Sequence, residues 1–343
     1  MSVVARQLWF TAPQQVEART QSLSSPAAGE VLVQSIFSAV SAGTELLVYR
    51  GQLPQDIALD ASIASLQQTT QFPLQYGYAC VGKVVALGAG VDAQWLGRKV
   101  FAFQPHASHF LAAPAELIAL PDDISPEAAL FLANMETAVN LVQDGSPAIG
   151  ERVVVLGQGI VGLLLTSVLS QYPLAQLIAV DGIHDRRRAA ARAGAHNVAD
   201  VSAEALAALR RQLETGTTAG ADLIYEVSGA PAALNTAIEL SGFASRIVIG
   251  SWYGSKSAPV SLGGAAHRNR LQFITSQVST LAPSLSGRWD KQRRFGLAWD
   301  MIRHLQPERW ITHRVSLENA AALYQQLHAG APDMLQAVIQ YSA

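Results

Sequence analysis

The sequence predicts an α/β protein built from a β-rich part and a doubly wound parallel sheet. Three observations predict it. Short β-branched runs punctuated by Gly and Pro fill the first third. Strand-like and helix-like runs alternate through the middle, and a glycine-spaced turn joins the first strand to the first helix of that alternation. A chain of 343 residues suits two domains of ordinary size.

Along the first third, the stretches 30–40 (EVLVQSIFSAV), 79–87 (ACVGKVVAL) and 99–103 (KVFAF) read as strands. The polar segment 55–71 between Pro54 and Pro73 reads as a surface excursion with helical character. Ser125-Pro126-Glu127 reads as a helix start, with a capping serine, a proline in the first turn and an acid behind it. In the middle, strands are expected at 152–156 (RVVVL), 176–180 (QLIAV), 222–227 (DLIYEV) and 246–249. Helices are expected at 160–170, 186–193 (ended by Gly194) and 232–240. Near-continuous apolar strands are what a sheet buried on both faces requires. A helix at 317–328 and a strand at 335–341 close the chain.

Composition excludes several function classes. Half the residues are hydrophobic and 15% are charged, so the chain can bury a large core. The net charge of −2 lacks the basic excess that binding to a phosphate backbone needs, so nucleic acid is not an expected partner. Cys80 is the sole cysteine, which rules out an internal disulfide and a cysteine-based zinc site. Met1 to Phe10 has no signal-peptide pattern. The apolar stretch 153–169 is broken by Gly157, Gly159 and Gly162, which fits a strand, a turn and a buried helix better than a membrane span. A cytoplasmic protein without membrane contact is expected.

Gly157-Gln158-Gly159-Ile160-Val161-Gly162 is a GxGxxG that follows one expected strand and opens one expected helix. The first glycine permits the tight turn, the second lets a pyrophosphate approach the backbone, and the third lets helix pack on strand. The N–H groups and dipole of the helix start favour the anion. Asp181 ends the next strand, about twenty residues further on, where a carboxylate accepts hydrogen bonds from a ribose hydroxyl and repels a 2′-phosphate. This is the Rossmann dinucleotide signature, and it favours NAD over NADP. Arg186, Arg187 and Arg188 follow closely; Arg186 can stack on adenine or pair with a phosphate, or all three can form a solvated helix face.

Taken with Gly43-Thr44-Glu45, the PLxxGYxxxGKV run from Pro73 to Val84 and Glu226-x-Ser228-Gly229, the chain resembles the medium-chain dehydrogenase/reductase superfamily over essentially its full length. The runs 38–54 and 72–84 are similar to a zinc-free branch that includes bacteriochlorophyllide a dehydrogenase. The resemblance implies a GroES-like catalytic domain at 1–135 and 277–343, with the Rossmann domain at 136–276 inserted. It also implies an active site in the cleft between them and a homo-oligomer, expected to be a homodimer. Zinc members of the superfamily carry a Cys before the Gly-Thr/Ser-Asp/Glu and a Gly-His-Glu further on; here Ala42 and Gly77-Tyr78-Ala79 stand there. The third ligand position falls on Ala133 or Asn134, and the four-cysteine structural lobe is missing. No zinc is expected.

By the same resemblance, Thr44 holds the proton-relay position, Leu47 replaces the next relay histidine, and Tyr78 stands where a zinc-binding histidine would be. Tyr78 can hydrogen-bond a carbonyl oxygen, or it can simply fill the vacated pocket; Thr44 can serve the reaction, or a backbone turn. Thr137, Ser228, Gly229, Gly250, Ser251 and Trp252 are expected around the nicotinamide half of the cofactor, with Trp252 otherwise a surface aromatic. His106 and His109 form an HxxH that reads as a surface pair with no acid to complete a site. Phe101, Phe103, Phe110, Trp252, Tyr253 and Trp289 hint at an apolar ligand, or are ordinary core aromatics.

The expected function is metal-independent hydride transfer between NAD(H) and a secondary alcohol or ketone among small-molecule substrates. The alternatives are an NADPH-dependent reductase of quinones or activated C=C bonds, and a dinucleotide-binding protein without turnover.

Overall fold

The computed structural model describes residues 3–54, 66, 70–214 and 219–342. The expected surface excursion at 55–71 falls, for the most part, outside the described residues. By its contacts the chain divides into two units, one running to Ala133 and resuming at Gln306, the other from Asn134 to Leu305. The sequence reading puts 277–305 with the first domain, whereas here that stretch groups with the second unit.

The first unit opens with an antiparallel hairpin, β1 (Val3–Ala12) and β2 (Gln15–Leu23). Its main sheet contains β3 (Val31–Val40), β4 (Cys80–Leu87), β5 (Lys99–Ala102), β6 (His109–Ala112), β7 (Leu117–Ala119), β14 (Ile311–Ser316) and β15 (Gln336–Gln340). The order is β14-β15-β3-β4-β5-β7, with β6 also pairing β3. Strand β3 joins the two ends of the chain: Phe37–Val40 pair antiparallel with β15 and Val31–Gln34 with β6, while β4 pairs with β3 from Val31 to Ser38. It leads directly into α1 (Ala42–Tyr49). A second helix, α9 (Ala320–His328), follows a short 3-10 turn at Leu317–Asn319, so the helix expected at 317–328 is divided in two. Phe10, Leu47, Tyr49, Tyr324 and Ile339 share the core beneath these helices. The Tyr324 ring meets Phe10 edge-on at 5.3 Å and stacks on Tyr49 at 5.6 Å.

Ser125 caps α2 (Pro126–Ala129) as expected, accepting from the Ala128 N–H at 3.1 Å. Next comes α3 (Leu132–Gly145), nearly all of which belongs to the second unit.

The second unit carries a fully parallel sheet of β8 (Arg152–Leu156), β9 (Gln176–Val180), β10 (Asn197–Ala199), β11 (Ala221–Glu226), β12 (Ser241–Ile249) and β13 (Gln272–Thr275). Helices α4 (Ile160–Leu169), α5 (His184–Arg192), α6 (Ala203–Leu213) and α7 (Ala233–Leu240) connect successive strands. The order β10-β9-β8-β11-β12-β13 runs outward in both directions from β8 and β11. A doubly wound sheet places its ligand crevice at that reversal, past the carboxyl ends of the two strands. Val153, Val154 and Val155 are completely buried, as the apolar run predicts. Gly194, at φ +103°, ends α5 where a side chain would be strained. A last helix, α8 (Lys291–Leu305), completes this unit. Among the described residues no helix is long and apolar enough to cross a membrane.

Candidate functional site

In the second unit, the carboxyl ends of β8 and β11 touch. Gly157 has φ +96°, and a Cβ there would lie 2.5 Å from the Ser228 Cα. A Cβ on Gly162 would lie 2.0 Å from the Gly157 carbonyl oxygen, so this glycine is what lets α4 start so close to the turn. Gly159 differs: a Cβ there meets nothing within 4 Å. It is the N-cap of α4 and caps with no side chain, so the first-turn N–H groups of Ile160, Val161 and Gly162 face that open space without intrahelical acceptors. Space, free N–H groups and the positive end of a helix together suit a diphosphate.

The sequence places Gln158 on this turn, but its side chain points inward. It is wholly buried and accepts from the Thr166 hydroxyl at 3.1 Å. Its N–H donates to Asp181 Oδ2 at 2.7 Å, and the Ile183 N–H donates to Oδ1 at 2.8 Å. Asp181 therefore sits at the end of β9 with its orientation set by two backbone donors, each oxygen keeping a lone pair for a ribose hydroxyl. The three arginines separate in role. Arg187 bonds the Asp181 carbonyl at 2.7 Å and pairs with Asp200 at 2.5 Å. Arg188 pairs with Asp185 at 3.5 Å. Arg186 has a buried Nε with no partner among the described residues.

Across the crevice, wholly buried Glu226 organises the loop after β11. Its Oε1 accepts from both the N–H and the hydroxyl of Ser228, and its Oε2 accepts from the Tyr253 hydroxyl at 2.5 Å. Burial and the neighbouring carboxylate push the Tyr253 phenol well up. The Gly229 N–H donates to Ser251 Oγ at 2.8 Å, and the Lys256 ammonium donates to the Gly229 carbonyl. The Gly250 N–H returns to the Glu226 carbonyl at 2.9 Å. Ser228, Gly229, Gly250 and Ser251 thus form one bonded cluster. Trp252 is 37% exposed on the following loop, and Thr137 lies half-buried in α3. The structural part of Tyr253, as a donor to Glu226, has no signature in the sequence.

In the first unit, Thr44 and Tyr78 come together: Thr44 Oγ1 and Tyr78 Oη lie 3.4 Å apart. Thr44 stands in the first turn of α1, and Tyr78 follows Gly77, whose φ of +131° turns the chain. A third hydroxyl completes the cluster, since Ser41 Oγ bonds Tyr78 Oη directly. The sequence reading missed Ser41, because a serine before a helix already has an ordinary explanation as a cap.

Behind the hydroxyls lies a buried acid. Glu45 Oε1 accepts from the Ser41 N–H at 2.7 Å. Its Oε2 lies 3.0 Å from His106 Nε2 and accepts from the Tyr324 hydroxyl. His106 Nδ1 meets Ser38 Oγ at 2.7 Å, and that oxygen meets Tyr341 Oη at 2.8 Å. The expectation of a surface HxxH pair is therefore corrected: His106 is wholly buried on an acid that lies 61 positions away in sequence, while His109 sits on β6 beside Ser108. Burial lowers the His109 pKa. Ser38, His106 and Glu45 line up like a hydrolase triad, but all three are fully buried with Tyr341 on the serine, which leaves a substrate no access.

The zinc-ligand positions hold Ala42, Tyr78, Ala79 and Ala133 or Asn134, which do not amount to three zinc donors. Among the described residues no group of three or more His, Cys, Asp or Glu side chains could hold a metal ion. These residues do not fit a catalytic zinc. Leu47, at the relay-histidine position, is core. Five of the six aromatics have packing or bonding partners of their own within their units. Phe101 packs edge-on against Phe103, Phe110 lies in the β-sheet core, Tyr253 serves Glu226 and Trp289 lies under Arg293.

Residues 161–291 match the family model of the zinc-binding dehydrogenases, a stretch that includes none of the zinc-ligand positions. The D-guloside 3-dehydrogenase of Escherichia coli K12 is 24% identical over 318 residues, covering 87% of this chain and 89% of that protein. Among solved structures, the short chain alcohol dehydrogenase of Escherichia coli CFT073 complexed with NADH superposes with a TM-score of 0.79 at 18% identity, over 98% of this chain and 99% of that one. The 2R,3R-butanediol dehydrogenase of Bacillus subtilis gives 0.79 at 17% identity, over 98% and 100%. A GroES-like first unit, a Rossmann second unit of this strand order, the match at 161–291 and the similarity along most of the chain to a named dehydrogenase together support membership of the medium-chain, alcohol dehydrogenase-like superfamily of oxidoreductases.

Proposed function

We propose that the protein is a metal-independent dehydrogenase that transfers a hydride between NAD(H) and a secondary alcohol or its ketone. The carrying observation is that Thr44 and Tyr78 meet at 3.4 Å, at positions where zinc relatives hold the relay hydroxyl and a metal ligand. A phenol is a hydrogen-bond donor near neutral pH and can polarise a carbonyl oxygen. In this reading Tyr78 donates to the substrate oxygen and Thr44 holds the same oxygen. A bound nicotinamide supplies the hydride acceptor. Gly159, the first turn of α4 and Asp181 bind the diphosphate and a ribose, and the Ser228–Ser251 cluster bounds the nicotinamide side. The named activities of the relatives, on a guloside and a butanediol, support an alcohol carbon as the reacting centre. We take the protein to act in the cytoplasm as a homodimer.

The test is NAD⁺ reduction followed at 340 nm with 2,3-butanediol and methyl D-guloside as probes, before and after dialysis against a strong zinc chelator. Activity that survives dialysis and falls at least tenfold in Tyr78→Phe is expected. Activity lost on dialysis and restored by zinc would overturn the metal-free reading. A second reading, an NADPH-dependent reductase of quinones or enones, is favoured by the unpartnered Arg186 Nε, which could meet a 2′-phosphate. Thermal unfolding with each cofactor separates the two, since a ligand at 100 times its dissociation constant stabilises by about 2.7 kcal/mol. A shift with NADH alone supports the first reading; a shift with NADPH alone supports the second.

A further inference from the structure

A dinucleotide carries one nucleoside on either side of its diphosphate. In the second unit the α4 turn suits the diphosphate and Asp181 a ribose, and Asp181 follows β9, on one side of β8. The other nucleoside then falls on the opposite side of β8, past the carboxyl ends of β11 and β12. The loops that follow those two strands flank it, and Glu226 joins them twice. Its main-chain carbonyl accepts from the N–H groups of Gly250 and Ser251, at 2.9 and 3.2 Å. Its carboxylate joins the same loops through side chains. Oε1 takes the N–H of Ser228 at 2.8 Å and the Ser228 hydroxyl, from the first loop. Oε2 takes the Tyr253 hydroxyl at 2.5 Å, from the second.

The carbonyl bonds are open to any residue at this position; the carboxylate bonds are not. A wholly buried carboxylate is a costly device, because its desolvation must be offset by the donors around it. A core that needed only packing is served by an apolar side chain, as at fully buried Ile224, two positions back on the same face of β11. The ADP side of the crevice has separate supports. Asp181 is held by the N–H groups of Gln158 and Ile183, and Val227 is tied to the Leu156 carbonyl at 2.9 Å. We propose that Glu226 is a positioning residue for the nicotinamide half of the cofactor, its carboxylate setting the spacing of the two loops that flank that half. The ADP half does not depend on it. This inference rests on the reading of the second unit as a dinucleotide site.

The test needs no substrate. Titration calorimetry compares NADH with ADP, which fills the turn and the Asp181 side but lacks the nicotinamide half. Tyr253→Phe deletes the donor on Oε2 and keeps the ring, and Ser228→Ala deletes the hydroxyl donor on Oε1. Each variant should bind NADH about fivefold or more weakly while ADP affinity stays within about twofold. Glu226→Gln, which cannot accept on both oxygens, should show the same split more strongly. The ADP arm also reports that the crevice is folded. Equal losses for NADH and ADP would make Glu226 a support of the whole crevice, and undiminished NADH binding would show that the loop spacing does not matter; either overturns the proposal. The two donors sit on different loops, so if one variant fails to fold the other carries the comparison. A protein that takes NADPH in place of NADH is tested in the same way with NADPH and 2′-phospho-ADP. The dinucleotide reading fails by a different result, an unmodified protein that binds neither NADH nor NADPH.

Discussion

Glu45 and His106 are both wholly buried, with Oε2 and Nε2 3.0 Å apart, and their contacts gather four segments of the first unit. Glu45 belongs to α1, His106 follows β5, Tyr324 reaches in from α9, and Ser38 from β3. From His106 the contacts run on through Nδ1 to Ser38 Oγ at 2.7 Å and from there to Tyr341 Oη at 2.8 Å, so the imidazole joins the carboxylate to two further hydroxyls. Burial, reinforced by Glu45, holds the Tyr324 phenol well above its usual range, so it remains a donor. With three donors on one carboxylate, the desolvation of the charge is largely offset. Removing the carboxylate leaves these buried donors without an acceptor, at about 1–3 kcal/mol for each one left unsatisfied and so about 3 kcal/mol or more for the set. Glu45→Ala should lower the free energy of urea unfolding by that amount, and Glu45→Gln, which keeps the shape, by less. A loss under about 1 kcal/mol in Glu45→Ala would mean the network does not hold the unit together.

The three glycines of the phosphate turn should separate stability from binding. Gly159→Ala puts its methyl in open space, at an ordinary φ of −66°. It should fold like the unmodified protein and bind NADH at least tenfold more weakly, measured by nucleotide fluorescence. Gly157→Ala and Gly162→Ala meet backbone atoms at 2.5 and 2.0 Å. Those two should lose stability even without nucleotide. Equal binding of NADH by Gly159→Ala would remove the diphosphate from this turn.

The second unit was the legible half of the fold for a physical reason. Strands buried on both faces must be apolar along their buried length, and 153–156 and 177–180 are. The hairpin partner β2 escaped notice because its outward face is mostly polar and exposed. So did α8, since an arginine in a helix marks an exposed position by pattern, whereas Arg294 is completely buried. In the site, Thr44 and Tyr78 were legible by position. Ser41 was hidden by its cap role, and the Glu45–His106 pair by its sequence separation, which only the folded sheet closes.

Arg294 of α8 shows how an unreadable residue becomes necessary. Its Nε and Nη2 reach Glu136 Oε1 at 3.0 and 2.7 Å, and Nη1 reaches Asn140 Oδ1 at 2.6 Å. Glu136 and Asn140 lie on α3, so the guanidinium locks α8 to α3 within the second unit. Burial raises the Glu136 pKa, and the arginine offsets only part of that rise. Arg294→Met leaves a buried carboxylate without its cation and should cost about 3–5 kcal/mol. The double variant Glu136→Leu/Arg294→Met should recover most of that loss, because two charges are then spared desolvation. If the double variant is as unstable as the single one, the helix contact depends on shape and not on the pair.

Cys80 gives a prediction with a definite sign. It lies fully buried on β4, with Sγ 3.3 Å from Ser35 Oγ. Burial pushes its thiol up to about 12, against a smaller opposite pull from Ser35. A free thiol in the unfolded chain ionises near about 8.5. Between those values the folded state holds a proton that the unfolded state has released, so stability falls as pH rises, by up to about 1.4 kcal/mol per pH unit. Below about pH 8 the thiol contributes no slope. Cys80→Ala removes the group at a packing cost of about 1 kcal/mol. At pH 7 the unmodified protein should therefore be the more stable of the two, and by pH 10 its advantage should have gone or reversed. The buried phenols of Tyr225 and Tyr324 also resist ionisation, but they are present in both proteins and cancel in the difference, and Tyr341, which Cys80 influences, is held protonated chiefly by its own burial. Urea unfolding of the pair at pH 7, 9 and 10 measures that difference. A gap that stays constant across the series would show that the thiol ionises as readily in the folded chain as in the unfolded one, and so is not sealed within the sheet.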